Sequence, residues 1–326
     1  MPHAPQILTV TLNPALDLSA RCDRVAPGPK LRLEGLVAEP GGGGVNVSRA
    51  IRALGGESCA LVAWGGATGA QHRALLESAG VKVIALDQPG DTRQSLTVTD
   101  AQGQQFRFVL PGPDWTADME SRAIDTITAA AAEAPPDAPV VLSGSQPPRV
   151  GADFPHRLAA ALGPGRLMVD TSGAALTRLV TAPNPEAMPM VLRMDQAESE
   201  TLAGGALADT EASLKLAADM VDRGVAQVVV LARGAEGSVL AARDMRLDCR
   251  PPPVEVRSKV GAGDSFTAGF ALELARSGDL ARALRHGTAA AAAAVMTDGS
   301  QLCTGEASAG ILPRCTLRAH APAAQA

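Results

Sequence analysis

Short apolar, β-branched runs recur along this chain, each followed by a helical pattern, and V-V-V-L at Val228–Leu231 is the plainest of them. A strand that is apolar at every position has no face to offer water, so it belongs in a parallel sheet covered on both sides. The same reading places strands at Ile7–Leu12, Cys59–Ala63, Lys82–Leu86, Val140–Ser143, Leu167–Asp170, Met190–Arg193 and Val228–Ala232. Helical patterns fall between them at Asn46–Leu54, Ala70–Ala79, Asp118–Ala134, Asp153–Leu162, Glu198–Leu202 and Thr210–Arg223. Such alternation predicts an α/β fold with an open, doubly wound, mostly parallel sheet flanked by helices. One domain is expected over residues 1–312, and the Ala- and Pro-rich tail 313–326 is expected to fray.

Two places break the alternation. Leu16–Cys22 with Leu31–Ala38, and Gln94–Thr99 with Gln104–Leu110, read as hairpins inserted at about 14–38 and 92–111. Polar and apolar residues alternate in R-Q-S-L-T-V-T, the mark of an antiparallel sheet with one wet face. These strands make either a small lid or decorative edge hairpins.

Composition narrows the function classes. The net charge is −5, which gives no electrostatic case for a nucleic-acid surface. The 5 cysteines are scattered without a C-x-x-C pair, so free thiols are favoured over disulfides or zinc. No leader-like segment precedes Ile7 and no apolar run is long enough to span a bilayer, so the chain reads as soluble and cytoplasmic, with no membrane partner.

The chemistry concentrates at V-G-A-G-D-S-F-T-A-G-F, Val260–Phe270. Phe266, Phe270 and Leu274 recur at helical spacing and Gly278 supplies a stop, so Gly261, Ala262 and Gly263 are expected just before the first turn. Free backbone N–H groups and the helix dipole favour an anion there. Asp264 would repel a phosphate unless its carboxylate works on the acceptor, taking a proton from an attacking hydroxyl. That is the pattern of a small-alcohol kinase. The plainer alternative is a tight turn with Asp264 as N-cap.

Four further groups bear on it. Glu39–Ala50, E-P-G-G-G-G-V-N-V-S-R-A, carries four consecutive glycines whose entropic cost implies close backbone approach, with Asn46 able to hydrogen-bond a polyol; the alternative is a floppy linker. Lys30, Arg32 and Arg93 stand near the junctions of the hairpins with the core and would clamp a phosphate already on the substrate if the hairpins close over one pocket. Ser143 and Ser145 end a core strand, where ligands of doubly wound sheets sit, although such serines are ordinary turn residues. Asp195 and Glu198 offer two carboxylates for Mg²⁺ held through water, or simply a solvated helix start. The histidines form no cluster and receive no catalytic role.

Taken together, T-L-N-P-A-L-D, P-K-L-R, the four-glycine segment, W-G-G-A-T-G, T-R-Q-S, R-F-V-L-P-G, S-G-S-Q-P-P, P-P-P-V and V-G-A-G-D-S resemble the ribokinase-like (PfkB) carbohydrate kinases, closest to their ATP-dependent 6-phosphofructokinase branch. The resemblance runs from about Ile7 to Glu306. It implies Asp264 as base and Gly261, Ala262 and Gly263 as anion hole. It implies Asp17, Gly42, Gly43 and Asn46 on sugar hydroxyls, and Lys30, Arg32, Arg93 and Ser145 around the substrate's phosphate, with Lys30 also reaching the γ-phosphate. Nucleotide contacts map to Ala232, Gly234, Gly237, Val260, Gly261 and Gly263, and to the helix around His286–Asp298. ATP with Mg²⁺, a ketose phosphate and a homodimer formed through the lid are implied as well.

This chain departs from the family pattern on the nucleotide side. Arg193-Met194-Asp195 stands where Lys-Pro-Asn is usual, Ala232 replaces a usual Ser next to an added Arg233, and Asp298, Gly299 and Gln301 replace N-x-G-x-R. The last change puts a monovalent-cation site in doubt. The expected reaction is phosphorylation of fructose 6-phosphate at its C1 hydroxyl, with Asp264 acting as a weak base because it sits at a helix N-terminus. Tagatose 6-phosphate and fructose 1-phosphate are alternative substrates, and a non-catalytic sugar-phosphate-binding protein is the alternative of another class.

Overall fold

A computed structural model of the chain describes residues 7–28 and 30–321. Pro29 of the P-K-L-R motif, His3 and the end of the tail (322–326) lie outside the described residues. The chain runs β1 (Ile7–Thr11), β2 (Ala15–Arg21), β3 (Glu34–Gly41), α1 (Gly43–Ala53), β4 (Ser58–Trp64), α2 (Gly66–Ser78), β5 (Lys82–Asp87), β6 (Arg93–Thr99) and β7 (Gln105–Val109). It continues α3 (Ala117–Ala132), β8 (Val140–Ser143), α4 (Phe154–Leu162), β9 (Leu167–Asp170), α5 (Gly173–Thr181), β10 (Val191–Met194), α6 (Gln196–Ala203) and α7 (Thr210–Asp222). The last third is β11 (Val228–Ala232), β12 (Ser238–Ala242), β13 (Met245–Arg250), α8 (Ala262–Ser277), α9 (Leu280–Ala294), α10 (Gly305–Ile311) and β14 (Thr316–Ala319).

A 10-stranded sheet has the order β14-β13-β12-β11-β10-β9-β8-β1-β4-β5. It is parallel from β5 to β11 and antiparallel beyond. The all-apolar strands divide their side chains between two cores in strict alternation. In β11, Val229 and Leu231 enter the core that contains α3, α4 and α7, while Val228 and Val230 enter the one that contains α1, α8 and α9. That is the covered, doubly wound sheet the apolar runs imply.

The two hairpins form a separate 4-stranded sheet, β3-β2-β6-β7. Each hairpin is antiparallel, but the two join through a parallel pair, β2 with β6, which residue alternation could not reveal. The tail expectation needs correction. Thr316–Ala319 is not loose but pairs with β13 at the edge of the large sheet, because Cys315 and Leu317 still have an apolar core to enter. Strands β12, β13 and β14 and helix α5 were not anticipated.

Helices α8 and α9 pack unusually closely, which explains the alanine run Ala289–Ala294. A Cβ at Gly269 would stand 2.8 Å from the His286 carbonyl oxygen, and one at Gly287 would stand 3.0 Å from that of Phe266. Backbone faces backbone, so only glycine and alanine fit the seam. Gly269→Ala is therefore expected to destabilise the fold by about 1–3 kcal/mol through overpacking. Gly310→Ala, on an exposed helix position with nothing within 4 Å of the added atom, is expected to be neutral or stabilising by about 0.5 kcal/mol. Urea denaturation of the two variants checks the contrast.

Candidate active site

Two glycine-rich helix starts meet at the carboxyl ends of β8, β9 and β10. Helix α8 begins with Gly261 in the left-handed conformation (φ 76°), and no side chain caps it. Ala262 and Gly263 lie inside the first turn rather than before it. Asp264 is not an N-cap. It sits at the third helical position and its Oδ2 accepts a 3.0 Å hydrogen bond from Asn46 Nδ2 on α1. Helix α1 likewise starts at a glycine of positive φ, Gly42 at 117°.

The four glycines are a packed loop, not a linker. A Cβ at Gly41 would overlap the Asp17 carboxylate, one at Gly42 would stand 2.8 Å from Thr11 Cγ2, and one at Gly43 would stand 2.5 Å from the Gly144 nitrogen. A Cβ at Gly44 would stand 2.6 Å from the Val10 carbonyl oxygen. The loop therefore brings Asp17 and Asn46 together with Asp264.

Electrostatics overturn one expectation. A helix N-terminus alone would make Asp264 a weak base. Instead, burial pushes its pKa up to about 7, with Asp170 and Asp17 adding to the effect and Asn46 and Arg193 opposing it. Desolvation beats the dipole here, and the carboxylate is poised near neutrality. Burial also raises Asp17 to about 6, against the pull of Arg93 and Arg107.

Arg93 Nε donates to the Asn13 carbonyl at 3.3 Å, and Asn13 Nδ2 donates to Ser145 Oγ at 3.2 Å. Arg93 and Ser145 thus share a neighbour. Lys30 and Arg32 do not join them: both lie exposed in the connection between β2 and β3, with no ion pair or hydrogen bond among the described residues. A cleft of about 390 Å³ opens between the inner face of the small sheet and Val260, Gly299 and Ser300, with Asp17, Glu39 and Arg107 on its walls.

Three residues that sequence reasoning did not assign complete the centre. Arg193 lies against the anion turn, so that a Cβ at Gly263 would be 2.9 Å from its Nη1. The same Nη1 donates to Asp170 Oδ1 at 3.3 Å, and Thr267 Oγ1 donates to Asp170 Oδ2 at 2.7 Å. Burial works against the Arg193 charge, but Asp170, with Glu198 and Asp264, together offset it and the guanidinium stays protonated. Asp170 ends a parallel strand, the one signal that could have drawn attention to it.

On the nucleotide side, Asp195 and Glu198 form a capping box. Asp195 Oδ1 accepts from the Glu198 amide at 2.8 Å, and Glu198 Oε2 accepts from the Asp195 amide at 2.9 Å. One oxygen of each remains, enough for a magnesium ion bound through water and too few for a direct cage; among the described residues no cluster of three or more acidic, His or Cys side chains could hold a metal. Gly234 (φ 56°) and Gly237 (φ 87°) turn the chain out of β11, and a Cβ at Gly237 would overlap the Cys249 carbonyl, so packing alone demands that glycine. Arg233 is tied to Thr210 at 2.6 Å. The Gly299 carbonyl accepts from Ser258 Oγ at 2.6 Å, and Asp298 lies 3.8 Å from Arg257.

Among the described residues no helix is long and apolar enough to cross a membrane. The sequence matches the family model "pfkB family carbohydrate kinase" over residues 10–307. It is 38% identical to the ATP-dependent 6-phosphofructokinase isozyme 2 of Mycobacterium tuberculosis, covering 92% of this chain and 86% of that protein. It is 34% identical to a 1-phosphofructokinase of Xanthomonas campestris, covering 82% and 84%. Phosphofructokinase-2 of Escherichia coli in complex with fructose-6-phosphate superposes with a TM-score of 0.84 at 34% identity, over 95% of this chain and 98% of that one. A ribokinase-like α/β sheet, a buried carboxylate in the first turn of a helix that starts at glycine, and these likenesses have one reading: the chain belongs to the pfkB family of carbohydrate kinases.

Proposed function

We propose that the protein transfers the γ-phosphoryl group of ATP to the C1 hydroxyl of fructose 6-phosphate, giving fructose 1,6-bisphosphate and ADP. The observation that carries this reading is the order of charges along the site. Asn46 Nδ2 bonds Asp264 at 3.0 Å, Asp17 lies two residues along β2 from Ala15, the pairing partner of Arg93, and Arg93 and Ser145 both bond Asn13. The base thus stands at one end and the cation beside Ser145 at the other, with Asp17 between. A ketose phosphate has that form, a reactive hydroxyl at one terminus and a phosphate at the other.

In the reaction Asp264 accepts the C1 hydroxyl proton as the oxygen attacks, and Asn46 holds the carboxylate in line. The amides of Gly261, Ala262 and Gly263 stabilise charge on the migrating phosphoryl group, and Arg193, pinned by Asp170, stands beside them. Asp17, Gly42, Gly43 and Asn46 hold hydroxyls, while Arg93 and Ser145, joined by Lys30 and Arg32 as the small sheet closes, hold the 6-phosphate. Ala232, Gly234, Gly237 and Val260 border the nucleotide. Magnesium, bound through water to Asp195 and Glu198, would offset charge on the triphosphate. The likeness to a 1-phosphofructokinase supports fructose 1-phosphate as the second reading, since the same two-ended site accepts it; tagatose 6-phosphate has the same form.

ADP release on a panel of fructose 6-phosphate, fructose 1-phosphate and tagatose 6-phosphate, with Mg²⁺ and K⁺ varied, tests the proposal, and the highest kcat/KM is expected with the first. Ligand binding without turnover would overturn it in favour of a binding protein. Asp264→Asn is expected to lower kcat by about 10²–10⁴-fold while fructose 6-phosphate still binds.

The same substitution should stabilise the fold. The folded pKa is about 7 against an ordinary aspartate value of 3.8, so between these two values the folded state holds a proton that the unfolded chain releases. Stability from this group is complete below the unfolded value and is lost as pH rises through 7. Asp264→Asn removes that loss, so melting at pH 8 should gain about 2–4 kcal/mol relative to the parent and the gain should vanish near pH 4.

The exposed apolar residues of the small sheet, with Leu36 at 64% and Val109 at 58% exposure, support a homodimer through that sheet. Leu36→Asp combined with Val109→Asp is expected to convert a dimer to monomers in sedimentation velocity. An unchanged sedimentation coefficient would remove the sheet from the interface.

A further inference from the structure

Helix α2 and the W-G-G-A-T-G motif at its start have no part in the chemistry above, yet they touch both ends of the sugar site. His72, on α2, is fully buried. Trp64 Nε1 donates to His72 Nδ1 at 2.9 Å, and His72 Nε2 lies 2.9 Å from the Gly41 carbonyl oxygen. An indole N–H can only donate and a carbonyl can only accept. Nδ1 must therefore be bare and Nε2 must carry the proton, so the two neighbours fix a single neutral tautomer. A second proton would set one N–H against another, and burial further holds the pKa of this imidazole below its ordinary value.

The Gly41 carbonyl belongs to the last residue of β3, at the root of the four-glycine loop. The loop has no slack, since a Cβ at Gly41 would overlap the Asp17 carboxylate and one at Gly44 would stand 2.6 Å from the Val10 carbonyl. Displacing Gly41 therefore displaces the backbone against Asp17 and the start of α1, which carries Asn46. The first turn of α2, one turn before His72, grips Thr92. The Thr92 amide donates to the Gly65 carbonyl at 2.9 Å, the Gly65 amide donates to Thr92 Oγ1 at 3.2 Å, and Thr68 Oγ1 donates to the Thr92 carbonyl at 2.7 Å. Thr92 directly precedes Arg93. One rigid helix thus holds the hydroxyl end of the site through His72 and the phosphate end through Gly65 and Thr68.

We propose that His72 is a positioning residue for the ketose phosphate: with the first turn of α2 it fixes the span between the Gly41–Asp17 end and Arg93, and so selects substrates by the distance between hydroxyl and phosphate. The proposal rests on the reading of the site given above. A histidine that only fills the core would affect stability and both ligands alike, whereas a positioning histidine affects the sugar alone.

The test is calorimetric titration of the parent, His72→Leu, His72→Gln and Trp64→Phe with fructose 6-phosphate and, separately, with a non-hydrolysable ATP analogue plus Mg²⁺, each protein melted in parallel. Glutamine offers one acceptor and one donor, as the imidazole does. His72→Leu is expected to weaken fructose 6-phosphate about tenfold or more and the nucleotide analogue by less than about twofold, with the loss in KM rather than kcat. His72→Gln should recover most of that loss, and Trp64→Phe should fall between. The imidazole ¹⁵N spectrum of the parent at neutral pH should show Nδ1 bare and Nε2 protonated.

Unchanged fructose 6-phosphate binding in His72→Leu and Trp64→Phe, equal losses for both ligands, or a protonated Nδ1 would each overturn the positioning role. Should His72→Leu fail to fold, His72→Gln and Trp64→Phe decide the matter by the same readouts. A parent protein that binds none of the ketose phosphates would instead overturn the proposed function, and the positioning role with it.

Discussion

The hydrogen bond from Asn46 Nδ2 to Asp264 Oδ2 joins two helix starts that the chain separates by more than two hundred residues. Both helices begin at a glycine of positive φ, and both pack in the core on one face of the large sheet. Their meeting brings the Asn46 amide, the Asp264 carboxylate and the backbone of both glycine turns to one place, the arrangement on which the proposed function rests. The bond also ties the orientation of the base to the loop expected to hold the substrate. A carboxylate buried this deeply would otherwise be a liability, because an unpaired charge in a low-dielectric interior is costly. The fold tolerates it because Asn46 donates to it and Arg193 stands near, and its pKa still rises to about 7. That residual cost is what suits the group to the role of base proposed for it.

Local pattern was enough for the elements that are apolar throughout. Strands β8, β9 and β11 begin and end at the residues the hydrophobic runs mark, because a doubly covered strand must be apolar until it emerges, as β8 does at Ser143 and β9 at Asp170. The hairpins of the small sheet were legible from one-sided alternation for the complementary reason. Strands β13 and β14 were not, since Met245–Arg250 and Thr316–Ala319 mix charged and apolar residues, and β12 was not, because its short S-V-L-A-A run carries leucine and alanines that read equally as helix. Helix α5 carries threonine and valine, which weaken a helical signal, and forms because Leu176, Leu179 and Val180 have a core to fill. Pairing of β2 with β6 is a long-range choice that no local pattern encodes.

The site divides in the same way. Asp264, Asn46 and the glycines announce themselves, since their composition is expensive anywhere else. Arg193, Asp170, Thr267 and His72 look ordinary in sequence and acquire roles only from neighbours distant along the chain. Arg193 reads as a strand residue until the Gly263 backbone is placed against it. His72 reads as a core histidine until its two hydrogen-bond partners are identified, one of them a backbone carbonyl with no side-chain signature.

The altered residues on the nucleotide side were the motive for reading this chain as a protein that binds without reacting, and the structure weakens that motive. Asp is as good an N-cap as Asn, and Asp195 completes a reciprocal capping box with Glu198, so the helix start survives the change. Ala232 closes β11 in register with Ser238, and the Gln301 carbonyl accepts from Thr297 Oγ1 at 2.8 Å, so neither leaves a gap. Arg193 does more than substitute for a lysine. A lysine is a compact point charge, whereas a guanidinium presents several donors in a fixed plane and can engage Asp170 while facing the turn at Gly263. Arg193 is coupled to Asp170, Glu198 and Asp264, and its guanidinium keeps its proton. A buried arginine carries a desolvation cost that its acidic partners offset, and Thr267 Oγ1 holds the nearest of them by donating to Asp170 Oδ2, so the changed residue is built into the centre beside Gly263 and not left loose there.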